Sequence, residues 1–517
     1  MPGTPRTPIT RRRILTGGAA LGTAALVGAA PWGATATAAP RTTPVADPFT
    51  LGVASGDPDH NSVVLWTRLA PDPLAQDGRG GMPDRAVDVQ WQIAEDARFT
   101  RVTASGTATT GPRDAHAVHI EARGLRPGAH YHYRFRVGTH ISPVGRTRTT
   151  PAPGARVDRF AFAFASCQSF THGHYTAQRH LADEDLDLVA FLGDYIYETG
   201  DAGAVGRPHV PAREVRTLAE YRVRHAQYKA DTDLQAAHAA FPWAVVFDDH
   251  ELENNWADDH PYRGEPSEEF TQRRADALKA YYEHMPLRPA QRPQGPDLHL
   301  YRRLSFGRLA RLHLLDTRQY RDVQSRPDRE DPDRTLLGAD QKRWLLEELS
   351  SSRAQWNVLA QQVFFSQRDF TAGDAEGFSD DAWDNYKVER DQVRDHLADV
   401  RNPVVITGDV HANYVVDVKA DFDDPASATV ATELVGTSFT SGGDGTDHNP
   451  GDAVQLAENP HIKFINRKRG YVRNTVTPTE WTADYRIVDR VSTPGAPITD
   501  RARFTIADGV PGAVPQG

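Results

Sequence analysis

A chain of 517 residues is too long for one ordinary hydrophobic core and predicts two or three domains. Charged residues make up 25% of it and the balance is −10 at neutral pH, with no basic run long enough to track a phosphate backbone, which argues against a nucleic-acid partner. Cys167 is the sole cysteine, so an internal disulfide is excluded whatever the compartment.

The first 39 residues read as an address. Thr10-Arg11-Arg12-Arg13-Ile14-Leu15 places paired arginines before a weakly apolar stretch rich in Gly and Ala, and Ala34-Thr35-Ala36-Thr37-Ala38 offers small-residue cleavage sites. This pattern matches a twin-arginine export signal, with the twin-arginine translocase as partner during export and a secreted or cell-wall-associated mature chain. The stretch is too short and too rich in Gly for a comfortable membrane span, and an uncleaved anchor is the alternative. Such a route carries proteins already folded, often with a cofactor in place.

From residue 48 to 150 the pattern is all-β. Val63–Arg68, Val87–Ile93 and His130–Val137 alternate in period two between clusters of Pro, Gly and Asp. Leu125-Arg126-Pro127-Gly128 resembles the turn into a late strand of fibronectin-like sandwiches, and about a hundred residues suit one such sandwich. His116 and His119 are candidate ligands, although histidines on loops and strand faces are ordinarily solvated. Thr150-Pro151-Ala152-Pro153-Gly154 reads as a short stiff linker.

Past the linker, over residues 155 to 510, apolar runs end repeatedly in polar groups. Phe160–Ala165 leads to Ser166-Cys167-Gln168, Leu188–Leu192 to Gly193-Asp194, Trp243–Phe247 to Asp248-Asp249-His250-Glu251, and Val404–Thr407 to Gly408-Asp409-Val410-His411. Buried parallel strands deliver functional groups at their carboxyl ends, whereas ordinary core strands end in generic turn residues. Helical segments at 218–240 and 339–350 suit helices covering a central sheet, and 309–316, 430–435 and 471–489 read as further strands.

These strand ends hold the donors of a two-metal site. Asp194 is the natural bridging carboxylate, and Tyr197 can swing back toward it if the chain turns on leaving the strand. Cys167, Tyr197 and His411 would serve one metal, Asp249 and Asp409 the other. Thiolate plus phenolate suits a trivalent iron, and carboxylate oxygens a hard divalent ion such as calcium. Asp409 and His411 are spaced to share one face of an extended chain. His250 is placed to bond a phosphoryl oxygen or protonate a leaving alkoxide. Each has a plainer reading: a lone Cys is usually a small buried hydrophobe, Asp249-His250-Glu251 could be a solvated turn or cap, and an Arg after a strand, as Arg318 is, usually pairs with a carboxylate instead of steadying phosphate. Asn254 and Asn255 either cap a helix or add a ligand. The loop 436–443 either shapes an entrance or simply connects, and the second reading is preferred.

Together, the twin-arginine leader, the opening Gly52-Val53-Ala54-Ser55-Gly56-Asp57-Pro58, and the motifs Ser166-Cys167-Gln168, Gly193-Asp194-Tyr195-Ile196-Tyr197-Glu198, Asp248-Asp249-His250-Glu251 and Gly408-Asp409-Val410-His411 resemble the PhoD family of secreted alkaline phosphatases and phosphodiesterases over about residues 48 to 510. The resemblance implies a purple-acid-phosphatase-like metallophosphoesterase fold, a four-layer α/β/β/α catalytic domain behind the sandwich, with an Fe(3+) and Ca(2+) centre. It implies Cys167, Asp194, Tyr197 and His411 as iron ligands, Asp194, Asp249 and Asp409 as calcium ligands, and His250 facing the substrate. Gln362 falls where related phosphatases have a histidine ligand. The expected reaction is hydrolysis of phosphate mono- or diesters by a metal-activated hydroxide, with phospholipids or teichoic-acid-like polymers as alternative substrates.

Overall fold

The computed structural model describes residues 46–325 and 328–516, so the proposed export signal lies outside the described residues. Two large sheets face each other across the main core. The first has ten strands. At its centre Phe160–Ala165, Leu188–Leu192 and Pro242–Val246 run parallel, so three carboxyl ends share one edge. The second has seven, in which Ala310–Leu314, Trp356–Gln361, Pro403–Thr407 and Thr429–Val435 are parallel neighbours. A parallel bridge between Ser166 and Ser438 ties the two functional edges together.

The sequence explains why these strands are interior. Phe160, Phe162 and Phe164 alternate with Ala161, Ala163 and Ala165, so the rings share one face and the small side chains the other. Phe160 stacks on Phe306 of the opposite sheet at 3.8 Å between centroids, and Phe162 meets Trp481 edge-on. Burying each ring contributes about 1.5–3 kcal/mol, which anchors the strand that carries Cys167. Helices Gly338–Ser350 and Lys387–Leu397 cover the seven-stranded sheet through Leu345, Leu349, Val393 and Leu397. Thr176–Ala182, Leu218–Lys229, Thr232–Ala240 and Glu268–His284 are the helices grouped with the ten-stranded sheet, giving the expected α/β/β/α layering.

The helical segment read as continuous over 218–240 is two helices. The Asp231 carboxylate accepts from the amides of Asp233 and Leu234 and so starts a second helix instead of extending the first.

The N-terminal strands pack as two layers, but one layer belongs to the large sheet. Val53–Gly56 pairs in parallel with Pro242–Val246, and Ser62–Arg68 and Ala117–Arg123 continue outward from it. A separate sheet built on Val87–Ala94, Val102–Thr110 and His130–Val137 closes over them, enclosing Val63, Leu65, Ile93, Tyr133 and Phe135. His116 and His119 are neither solvated nor grouped with a metal-type cluster. His116 Nε2 is 3.0 Å from the Arg85 carbonyl, and His119 stacks on Tyr282 with Nε2 3.0 Å from the carbonyls of Tyr282 and Met285. Burial holds the His119 pKa down to about 4, so it serves as a neutral clamp between the sandwich and helix Glu268–His284.

Candidate metal centre

Where the strands end, the backbone turns sharply. Cys167, Asp194, Asp409 and His411 all have positive φ, between 56° and 58°. Non-glycine residues held in such regions cost on the order of 1–3 kcal/mol each and persist where the surroundings over-determine them, commonly at functional sites. Asp409 and His411 are therefore not two positions of an extended face. The strand stops at Thr407, and a tight turn presents both. Two glycines permit the crowding: a Cβ on Gly193 (φ +100°) would lie 2.4 Å from the Asp248 Cβ, and one on Gly408 would lie 2.9 Å from the Ser166 Cβ.

Cys167, Asp194 and His411 offer ligand atoms within 4.8 Å of one another, and so do Asp194, Asp249 and His250. Asp194 belongs to both groups. Tyr197 does turn back: its hydroxyl is 2.9 Å from Asp194 Oδ2 and 3.2 Å from His411 Nε2. Asp409 stands outside both groups, although its charge is felt by the Cys167 thiol.

The donor set fits a pair of multivalent cations. Burial pushes the Cys167 thiol up, with Asp194 and Asp409 adding to it, and burial does the same to Tyr197, reinforced by Asp194 and Cys167. Burial raises Asp194 as well, joined by Asp249 and Asp248 against the opposing pull of His250, and it lifts Asp409 to about 7 with help from Asp381 and Asp249. Four acidic donors with too little positive charge around them are the condition a bound cation relieves. Burial holds His411 down to about 3, which keeps its imidazole neutral and able to ligate.

The remaining candidates separate clearly. His250 donates from Nδ1 to Glu198 at 2.7 Å, and its ring lies against Tyr197 at 4.2 Å between centroids. That leaves Nε2 as the ring atom available to the cluster. Asn255 and Asn254 use their backbone amides, on Asp249 Oδ2 and Glu198 Oε1. Gln362 is occupied elsewhere: Oε1 accepts from Thr317 and Nε2 donates to the Leu315 carbonyl. Arg318 is fully buried, with Nε on Asp248 and its two terminal nitrogens on Asp381 at 2.8 Å each, so it pairs with carboxylates and has no face for phosphate. Arg318→Ala should cost about 3–5 kcal/mol of stability, since it strands two buried acids. Denaturant titration of the variant checks this, and a loss below 1 kcal/mol would show that the pair is not holding the core.

Three residues escaped the sequence reading. Glu198 orients His250. Glu251 collects the amides of Asp194, Tyr195 and Asp248 at 3.1, 2.6 and 3.0 Å, setting the turn after Leu192. Ser441 lies 2.6 Å from the Tyr197 hydroxyl and 2.9 Å from the Cys167 carbonyl, so the loop 436–443 is part of the site wall and more than a connection. Glu198 had a signal, four residues past Asp194 in the same run; a serine in a Gly-rich loop had none.

Comparison with known proteins shows the family. Residues 162–485 match the family model of the PhoD-like phosphatase, and 34–151 that of the PhoD-like phosphatase N-terminal domain. Alkaline phosphatase D of Bacillus subtilis (strain 168) is 52% identical over 472 residues, covering 88% of this chain and 80% of that protein. A solved structure of PhoD superposes with a TM-score of 0.89 at 50% identity, covering 92% of this chain and 93% of the other. With both regions matched in order, and with the motif residues of four distant segments converging on one buried cluster, the chain belongs to the PhoD-like phosphatase family.

Proposed function

We propose that this cluster hydrolyses phosphate esters, with ferric iron held by Cys167, Asp194, Tyr197 and His411 and calcium held by Asp194, Asp249 and Asp409. The phosphatase class is supported by family membership and by the 52% identity to an alkaline phosphatase D. The observation that carries the two-metal reading is Asp194, whose carboxylate is common to both ligand groups. Bound cations there would supply Lewis acidity toward phosphoryl oxygens and acidify a water.

The chain's own groups do the rest. Glu198 fixes the His250 ring through Nδ1, and in the charged ring the second proton, on Nε2, is the one a departing oxygen would take. Ser441 bonds the phenol of Tyr197 and the carbonyl of Cys167, holding two donors from different strands at one spacing. Arg469 donates to the His411 carbonyl at 2.8 Å and to Ser438 at 2.9 Å, which fixes the turn presenting the imidazole.

The test is a substrate panel on metal-analysed protein: a monoester, a bis-ester and phosphatidylcholine. Hydrolysis of the first or second with two metals bound supports the proposal; inactivity of fully loaded protein on all three overturns it. Turnover of phosphatidylcholine above the others would favour the phospholipid alternative.

Export by the twin-arginine pathway is part of the same proposal and rests on Arg11 and Arg12. Replacing both with Lys should leave folded precursor inside the cell, as fractionation would show. Undiminished secretion of the double variant would remove that assignment.

A further inference from the structure

Beyond the seven-stranded sheet a positive group lies on the side of the Asp409 turn, with no hydrogen-bond or ion-pair partner for its guanidinium among the described residues. After strand Trp356–Gln361 the chain passes through Phe364 and reaches Arg368, which is 8% exposed. Its guanidinium lies over the Phe364 ring at 4.2 Å, the Phe370 ring at 4.8 Å and the Tyr414 ring at 5.4 Å. Phe364 and Tyr414 belong to the apolar cluster on which Val410 packs, and Val410 is the residue between Asp409 and His411. The stacked guanidinium is thus seated on the wall that carries two candidate ligands. Its charge is among those pulling the Asp409 carboxyl down.

Among the described residues no hydrogen bond or ion pair reaches this guanidinium, and Nε is buried with no partner. The other arginines of the region are spoken for. Arg318 and Arg321 are paired with Asp381, and Arg390 with Asp384. Two acids beside Arg368 are also used: Asp384 Oδ2 takes the Arg368 amide and Asp369 Oδ1 takes the amides of Thr371 and Gly377. A cation with no carboxylate in hydrogen-bond reach among the described residues, set against three rings and close enough to act on Asp409 and Asp384, is pre-organised for an anion that arrives from outside. Phe370, 41% exposed, stands next to it at the rim.

We propose that Arg368 is a substrate-binding residue whose guanidinium takes an anionic oxygen of the phosphate ester beside the Asp409 turn. This rests on the phosphatase reading of the cluster. The apolar seat formed by Phe364, Phe370 and Tyr414 strengthens the contact, because it keeps water from one side of the ion pair.

The probe is inorganic phosphate on the metal-loaded protein, measured as binding by calorimetry and as competitive inhibition of p-nitrophenyl phosphate hydrolysis. Arg368→Met, which keeps a long apolar stem between the rings, should weaken phosphate binding about 10- to 100-fold, the usual worth of a charge-assisted hydrogen bond. KM should rise in parallel, kcat should change far less, and metal content should match the parent protein. Arg368→Lys should recover part of the loss. An Arg368→Met protein with unaltered phosphate affinity and KM but a lower melting temperature would overturn the proposal and leave the side chain a packing role.

A second measurement needs no variant. Phenylglyoxal labelling of Arg368 in the parent protein, followed by mass spectrometry, should slow at least about tenfold in saturating phosphate; unprotected labelling would also overturn the proposal. Failure of the phosphatase reading shows separately, as a parent protein that turns over no ester in the panel, and phosphate binding by calorimetry does not depend on turnover.

Discussion

Substituting His250 by Ala is expected to lower kcat by about 10²- to 10⁴-fold while both metals stay bound, the range typical of losing a positioned general acid. The expectation follows from the ring's tether. Glu198 accepts from Nδ1 at 2.7 Å, so the ring is oriented and Nε2 is the nitrogen left for the cluster. Burial would lower its pKa, but the negative charges of Asp249, Glu198 and Asp194 outweigh it and raise it, and Glu198, which is not among the proposed ligands, still favours the charged ring when cations occupy the other two. An acid matters most when charge develops on the leaving oxygen, so the deficit should be larger for an alkyl than for a nitrophenyl leaving group. Glu198→Gln should produce a smaller loss of the same leaving-group pattern, of roughly 10- to 100-fold, because it removes the orienting group and leaves the acid. His250 also stands within 4.8 Å of Asp194 and Asp249. Equal losses on both substrates, accompanied by the loss of one metal per chain, would identify it as a ligand.

Which parts of this site could be read beforehand follows from how each is encoded. Strand ends are local: an apolar run closed by Cys, Asp or Gly-Asp shows in ten residues, and the strands Phe160–Ala165 and Leu188–Leu192 lie where the pattern places them. Backbone inversion is not local. Nothing in Asp409-Val410-His411 marks two left-handed residues in three, because that conformation is imposed by Gln362 and Ser166 closing around Gly408. Sheet partners are equally non-local. Ser62–Arg68 is buried at every position, as a strand covered on both faces must be, so the half-buried alternation expected over Val63–Arg68 does not hold there. The pairing of Val53–Gly56 with a strand almost two hundred residues later had no signal at all. The pairing of Arg318 was foreseen as a type, but its partner Asp381 lies in a segment with no periodic pattern.

The second large effect concerns the iron, where the donor chemistry is most particular. A phenolate on ferric iron gives a visible charge-transfer band, and Tyr197 is the phenol that reaches Asp194 and His411, at 2.9 and 3.2 Å. Purified protein should therefore be coloured, and Tyr197→Phe should shift or abolish the colour while keeping a ring of the same shape against His250. Cys167→Asp should be the milder change at the neighbouring position, since a carboxylate is another anionic donor for a hard trivalent ion. Cys167→Ala should be worse, because it removes an anionic donor to the ion and puts nothing in its place, lowering iron content and activity together. With φ at 58° the backbone at Cys167 suits Asp better than Ala, so a thermal melt of both variants is needed beside the iron content to separate loss of the donor from loss of stability. Calcium chelation should cut activity and spare the colour, because oxygen-bound calcium exchanges faster than thiolate-bound iron. A colourless, fully active protein holding zinc or magnesium and no iron would overturn the iron assignment and leave the shared Asp194 carboxylate, and with it the two-metal hydrolysis, standing.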